Sequence, residues 1–469
     1  MTTVHAPAPV RTGAPGPVRT GPLLTILLLG QFMAILDVSV VNVAIPTIRT
    51  DLHASGAGLQ LVVAGYTIAY AMLLITGARL GDRLGHRRIF LTGLAVFTTA
   101  SLACGLAGST RLLIGFRLVQ GAGAALMVPQ VLSLIQRHFP PAARARALGR
   151  YAAVIASGVI VGQVVGGALV GADLWGTGWR PVFLVNVPIG LAVLVAGLRL
   201  LPADSGEPGR GLDLPGLVTL SAAVLLFVVP LVLGREEHWP VWGWVCLGAS
   251  AALLAVFVPV QRRAAAPLVP GRVLRAPGML PALAAIFATM AGYGGYLLSM
   301  ALHLQVGLGY SPLRAGLTFV PAGLSFAVAS LNWRRVPARW HRRMIPVALL
   351  LGAVALALVA VAVRAGHRPD AVFWLSQVCF GLGFGGAFSP LITLALSRVP
   401  APDAADASGL LTTMTQLAQV VGVATFATLY LSLLGSRPSG PALALTASAE
   451  AAATILAAAF AYLLPRRAN

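Results

Sequence analysis

The sequence predicts an all-α polytopic membrane protein, and three observations predict it. Apolar residues make up 58% of the 469-residue chain. Charged residues make up only 10%, whereas a soluble globular protein carries about 25%. The apolar residues also gather into unbroken runs of about 20, long enough as helices to cross a hydrocarbon core of about 30 Å. A soluble multidomain enzyme is excluded on these grounds, and so is intrinsic disorder, which needs low hydrophobicity. A β-barrel is disfavoured because its strands alternate in polarity. The formal charge of +20 would suggest nucleic acid in a soluble chain. In a membrane protein such an excess reports loop topology instead, so no nucleic-acid partner is expected. All the basic residues are arginine.

Taken in order, the chain opens with a tail rich in Pro, Gly and Ala over 1–20. Apolar runs follow at 23–45, 59–78, 89–108, 112–135, 152–170 and 182–201. The first is too long for a signal-peptide core and lacks a credible cleavage site, so it is expected to be retained. A polar stretch at 202–213 interrupts the series. Runs at 217–234 and 242–260 stand alone before a second linker at 261–277. The last six runs are 279–302, 315–331, 345–363, 372–396, 410–433 and 443–464. The expected organisation is a tail (1–20), a six-helix bundle (21–202), linkers with two inserted helices (203–276) and a second six-helix bundle (277–469), about 14 spans in all.

Arginine placement sets the expected orientation. With the N-terminus in the cytoplasm, cytoplasmic segments collect about three arginines for each one on the other side. Both termini are therefore expected inside, in the cell membrane. Cys104, Cys246 and Cys379 lie far apart within apolar runs and give neither a disulfide framework nor a metal spacing.

Three charged residues fall well inside spans, away from their ends: Asp37, Arg117 and Glu450. Intramembrane charge is a functional hypothesis by default. At 1.5 Å per residue, Asp37 on the first span and Arg117 on the fourth reach a similar depth in the outer third of the bilayer. They read either as a structural ion pair or as a titrating carboxylate poised by an arginine. Glu450 reads as interfacial or packed in a polar spot, and His303 as interfacial. Paired carboxylates, a His-Glu metal motif, a phosphate loop and a nucleophile constellation are all missing, so neither an enzyme nor a cofactor is expected.

Several motifs resemble the fourteen-span drug:proton antiporters of the major facilitator superfamily. Leu36-Asp37-Val38-Ser39-Val40-Val41-Asn42-Val43-Ala44-Ile45-Pro46 is similar to the first-helix signature, whose Asp is associated with proton coupling. Ala78-Arg79-Leu80-Gly81-Asp82-Arg83-Leu84-Gly85-His86-Arg87-Arg88 resembles the superfamily's loop after the second span. There Gly85 allows a tight turn, and Asp82 can sit against a helix N-terminus or an arginine as a breakable clasp. Arg117-Leu118-Val119-Gln120-Gly121-Ala122-Gly123 is similar to the fourth-span pattern, with Arg117 and Gln120 on one helix face. The fifth span carries Gly158, Gly162, Gln163, Gly166 and Gly167. This resembles the antiporter glycine ladder, except that Gln163 stands where the family has proline. The glycines allow close helix packing; the residue that would kink the helix is missing. The segment from Trp179 to Gly190 matches a further signature. The second copy of the Asp-Arg loop, around 332–343, is degenerate and keeps only arginines.

The resemblance implies the major facilitator fold, two six-helix bundles rocking around a midplane cavity with two extra helices beside them. It also implies export of small amphiphiles driven by the proton gradient, with Asp37 and Arg117 carrying proton coupling. Gly81, Asp82, Arg83, Gly85, Arg87 and Arg88 would form the conformational loop. Cavity candidates are Gln31, Tyr66, Tyr70, Gln120, Met127, Tyr293, Tyr296, Phe384, Met414, Gln416 and Gln419, with Gln163 as a further amide, since methionine and aromatics suit promiscuous apolar ligands. One strong carboxylate predicts neutral or singly charged substrates rather than dications. Dedicated export of one natural product shares every motif. Proton-coupled uptake and a membrane enzyme are weaker readings. The expected partners are substrate, protons and lipid, with the chain acting as a monomer.

Overall fold

A computed structural model of the chain describes residues 20–204, 206, 213–233, 239–364, 370–397, 399 and 403–464. The tail before Thr20 and most of the first linker lie outside these residues. The long helices, in chain order, fall into three groups. The first group is α1 (Thr20–Asp51), α2 (Gly56–Leu84), α3 (His86–Gly105), α4 (Thr110–His138), α5 (Pro141–Ala172) and α6 (Pro181–Leu200). Next come α7 (Leu214–Leu233) and α8 (Val241–Arg263). The last group is α9 (Met279–Gly307), α10 (Pro312–Arg335), α11 (His341–Arg364), α12 (Ala371–Leu396), α13 (Ala407–Leu434) and α14 (Ser439–Tyr462). Thirteen are long and apolar enough to cross a membrane among the described residues; α5, 32 residues long, has a described apolar end at Val161–Ala172. The chain is therefore a multi-pass integral membrane protein.

Helix pairing repeats. In the first group α1 packs on α5 and α6, α4 on α2 and α3, and α3 on α6. In the last group α9 packs on α13 and α14, α12 on α10 and α11, and α11 on α14. Each pairing recurs eight helices later. The contacts between bundles are reciprocal too, α2 with α13 and α5 with α10. The pair α7–α8 stands outside this scheme and is mostly exposed. It is joined by Ser250 Oγ donating to Ala223 O at 2.7 Å, and it touches the bundles through α7 against α2 and α13.

The cores are distributed unevenly along the helices. One continuous core runs across both bundles, holding Val40, Leu113, Trp179 and Phe183 from the first and Tyr296, Phe319, Val359 and Ala442 from the second. Toward the opposite ends the bundles keep separate cores. One contains Leu27, Phe90, Met127 and Leu134; the other contains Ile286, Leu349, Leu391 and Leu411. The bundles are thus joined at the Trp179 end and splayed at the Asp82 end.

Small residues set the joint. Cβ atoms placed on Gly158, Gly162 and Gly166 would lie 2.9, 2.6 and 2.8 Å from Ile35, Ser39 and Val40 side-chain carbons of α1. That ladder lets α5 press onto α1. Gly167 turns the other way, its Cβ position 2.6 Å from Pro312 O of α10. Residue 163 being Gln, α5 runs as one helix with no proline to interrupt it.

Candidate functional site

Asp37 (0% exposed) and Arg117 (1% exposed) meet inside the first bundle. Arg117 Nη1 donates to Asp37 Oδ2 and, at 2.8 Å, to Gln120 Oε1. Its Nε donates to Val62 O of α2 at 3.0 Å. The guanidinium lies over the Tyr66 ring, 4.6 Å from the centroid, with Phe183 on another side. The second carboxylate oxygen of Asp37 accepts from Gln120 Nε2 at 2.8 Å and from Asn186 Nδ2 at 3.2 Å. Ser101 closes the network, accepting from Gln120 and Asn186 and donating to Phe183 O. A buried ion pair survives the loss of water only when its remaining polar positions are satisfied. Here α1, α2, α3, α4 and α6 each supply a group. Gln120, placed by sequence among cavity residues, is the bridge of this pair. Ser101 and Asn186 were not singled out, although Asn186 lies within the Trp179-to-Gly190 signature.

The loop between α2 and α3 has the expected turn and a different clasp. Gly85 has φ of +95°, a conformation L side chains rarely adopt. A Cβ on Gly81 would fall 2.0 Å from Gln130 Oε1. Asp82 is exposed and, among the described residues, its one ionic neighbour is His86 Nε2 at 3.5 Å; no arginine pairs with it. The N-terminus of α3 is held instead by Asp204, which accepts from His86 N at 2.6 Å and Arg87 N at 3.0 Å. In this arrangement Asp82 neither caps a helix nor pairs with an arginine among the described residues, so the breakable clasp that the resemblance implies stands open. Asp204 comes back from the linker after α6 to occupy that place, and Asp82 faces outward where the bundles splay. Arg83 and Arg88 are exposed, and Arg87 Nη2 reaches Leu198 O at 2.6 Å. Arg79 is buried and donates to Ala266 O and Pro267 O, both at 2.5 Å, which ties the second linker to α2.

A small cavity of about 20 Å³ lies between the bundles. Gln163 comes from α5; Tyr293, Tyr296, Phe319, Phe326 and Phe380 come from α9, α10 and α12. Tyr293 stacks on Phe380 with centroids 6.0 Å apart, and Phe380 on Phe384 at 4.3 Å. Tyr296 Oη donates to Gln377 Oε1. Gln163 is 1% exposed, and among the described residues neither its Nε2 nor its Oε1 has a hydrogen-bond partner, a deficit of about 1–3 kcal/mol per group.

The remaining cavity candidates lie elsewhere. Met127 packs in the first bundle's own core, its sulfur 3.2 Å from the Cβ position of Gly30. Tyr66 and Tyr70 belong to that same core. Gln31 is buried there, its Oε1 unpartnered. Met414 packs on the second bundle's separate core, and Gln416 and Gln419 are half-buried on α13. Glu450 lies midway along α14 and is fully buried, with Ser299 Oγ donating to Oε1 at 3.4 Å and, among the described residues, no partner for Oε2. His303 lies near the end of α9, as expected, but is buried there, its Nδ1 2.7 Å from Ser439 Oγ at the start of α14.

Residues 27–423 match the family profile described as Major Facilitator Superfamily. The chain is 39% identical over 422 residues to the "Probable actinorhodin transporter" of Streptomyces coelicolor, covering 88% of this chain and 73% of that one. It is 35% identical to the "Drug efflux pump JefA" of Mycobacterium tuberculosis over 87% of this chain and 80% of that one. The "Cephamycin export protein CmcT" of Amycolatopsis lactamdurans is 36% identical, over 87% and 84%. Among solved structures, a D-xylose-proton symporter superposes with TM-score 0.68 at 15% identity, over 94% of this chain and 97% of that one. A bacterial homologue of the human lysosomal transporter Spinster superposes with TM-score 0.65 at 20% identity, over 96% and 98%.

Proposed function

Because the chain belongs to the Major Facilitator Superfamily, we propose that it exports small amphiphilic drugs or antibiotics across the bacterial cell membrane in exchange for protons. The observation that carries the reading is the membrane-buried Asp37–Arg117 pair with its satisfied ring of donors. Relatives named for drug efflux and antibiotic export support the direction of transport.

In this reading the Asp82 end faces the cytoplasm, as the arginine bias requires. The splayed arrangement is then the inward-facing state. Asp37 takes a proton from outside when the bundles part at the Trp179 end. Protonation removes its charge attraction to Arg117, and the freed arginine hydrogen bonds rearrange. The bundles rock, the proton leaves inward and the substrate loads. Coupling requires the substrate to bind the two states with different affinity. Asp82 finds an arginine only when the Asp82 end closes. The charge of one carboxylate suits neutral or singly charged cargo. Export of divalent cations as fast as monovalent ones from liposomes would falsify that limit.

The decisive experiment is Asp37→Asn in proteoliposomes with an imposed pH gradient. Proton-driven transport is expected to stop while substrate binding stays measurable; unchanged transport removes Asp37 from the mechanism. A dedicated natural-product exporter is the second reading, favoured by the relatives named for actinorhodin and cephamycin. A toxicity panel in cells with and without the gene separates the two. Protection against many unrelated dyes supports broad efflux, and protection against a single compound supports dedicated export.

A further inference from the structure

We infer that Gln163 and the aromatic wall of α9, α10 and α12 form a two-part binding site for flat, uncharged polycyclic compounds bearing phenol or quinone oxygens. The inference rests on the export reading, since it names the cargo of that transporter.

The cavity takes its two chemistries from opposite bundles. The first bundle contributes an amide, and the second contributes stacked rings. Both polar atoms of the amide are buried and unpartnered, although buried polar groups are almost always satisfied. An amide offers one donor group and one acceptor, which matches an adjacent carbonyl and hydroxyl on a planar ring system. The rings opposite offer π faces for stacking. Among the described residues no arginine, aspartate or glutamate lines the cavity, so an ionic ligand would gain no counter-charge there.

The geometry also says when the site is available. At about 20 Å³ the cavity holds little more than a water, whereas drug-sized ligands need at least about 300 Å³. Close contact between α5 and α10 keeps it small. A Cβ on Gly316 would lie 2.4 Å from Gln163 O, and one on Gly167 would lie 2.6 Å from Pro312 O. Parting α5 from α10 would expose the amide on one wall and the rings on the other. In the arrangement seen, the amide is closed away without a partner.

The test is equilibrium binding to the purified full chain in detergent, with no proton gradient, using 1,8-dihydroxyanthraquinone and ethidium as probes. Gln163→Leu is expected to weaken dihydroxyanthraquinone about tenfold and leave ethidium within twofold. Gln163→Asn is expected to restore part of the loss. Phe380→Ala is expected to weaken dihydroxyanthraquinone, whose rings stack on that wall. Dihydroxyanthraquinone binding within twofold of wild type in Gln163→Leu would overturn the inference, leaving the amide as a water-filled packing site. If Gln163→Leu loses both probes, Gln163→Asn decides: selective recovery of the anthraquinone supports the site, and equal behaviour of both probes overturns it. A failure of the export reading would appear as absent transport in vesicles with this binding pattern intact.

Discussion

Asp37 and Arg117 hold each other in place, so neither can be changed alone without leaving the other's charge buried. Breaking such a pair from one side costs about 3–5 kcal/mol. Asp37→Asn is expected to lower the thermal midpoint in detergent as well as stop proton-driven transport. Asp37→Asn combined with Arg117→Gln is expected to recover much of the stability and none of the coupling; thermal unfolding and a proton-flux assay read the two effects separately. Arg117→Lys keeps the charge but loses the bond to Val62 O and the planar stacking over Tyr66. It is expected to be intermediate in both measurements. Glu450 differs in kind: among the described residues its one described bond is from Ser299. Glu450→Gln keeps the shape and can still bond to Ser299, so it is expected to change stability by no more than about 1 kcal/mol.

The pair was legible in the sequence because so few charges interrupt the spans. Ser101 and Asn186 were not, because short polar residues occur throughout membrane helices and carry no periodic signal. Asp204 was missed for another reason: it lies in a polar linker, where an aspartate reads as ordinary. Only the folded chain returns it to the N-terminus of α3. Asp204→Ala is expected to cost about 1 kcal/mol through the lost cap, measured as a lower thermal midpoint, with transport retained.

At the level of helices, α5 carries two sets of small residues with separate duties. Gly158, Gly162 and Gly166 fix it to α1 within its own bundle, whereas Gly167 meets α10 of the other. Substituting the first set is expected to destabilise the bundle. Substituting Gly167 or Gly316 with leucine is expected to push the bundles apart at the Trp179 end while each bundle remains folded. A reporter cysteine replacing Leu313 would then label faster from the outer face than it does without the leucine; equal labelling rates would rule this out. The helices themselves were legible: each apolar run overlaps a helix, with ends differing by a few residues except at the start of α5, which begins at Pro141 rather than at residue 152. Fifth-span position 163 was legible as a departure from the family's proline. The sequence alone could not show that the amide lacks a partner, since that depends on which side chains of α9, α10 and α12 surround it.

Across the whole molecule, the second bundle repeats the pairings of the first while its chemistry diverges. The motifs resembling the family carry most of their charge in the first half, and the degenerate loop at 332–343 has no acidic residue to match Asp82. The apolar runs lead one to expect a grouping of six, two and six, but the splay of the bundles is visible only in one joined core and two separate ones. α7 and α8 carry little of the core, so most of their surface can face lipid, and their sequence is free to follow the membrane more than the mechanism.

The split cavity has a consequence for inheritance. In the proposed cycle energy coupling falls on α1, α2, α3, α4 and α6, whereas the aromatic wall belongs to the second half of the gene. A lineage could exchange or mutate that second half and acquire a new chemical repertoire while retaining an intact engine. Resistance profiles among descendants would then track the 3′ half of the coding sequence, and their dependence on the proton gradient would track the 5′ half.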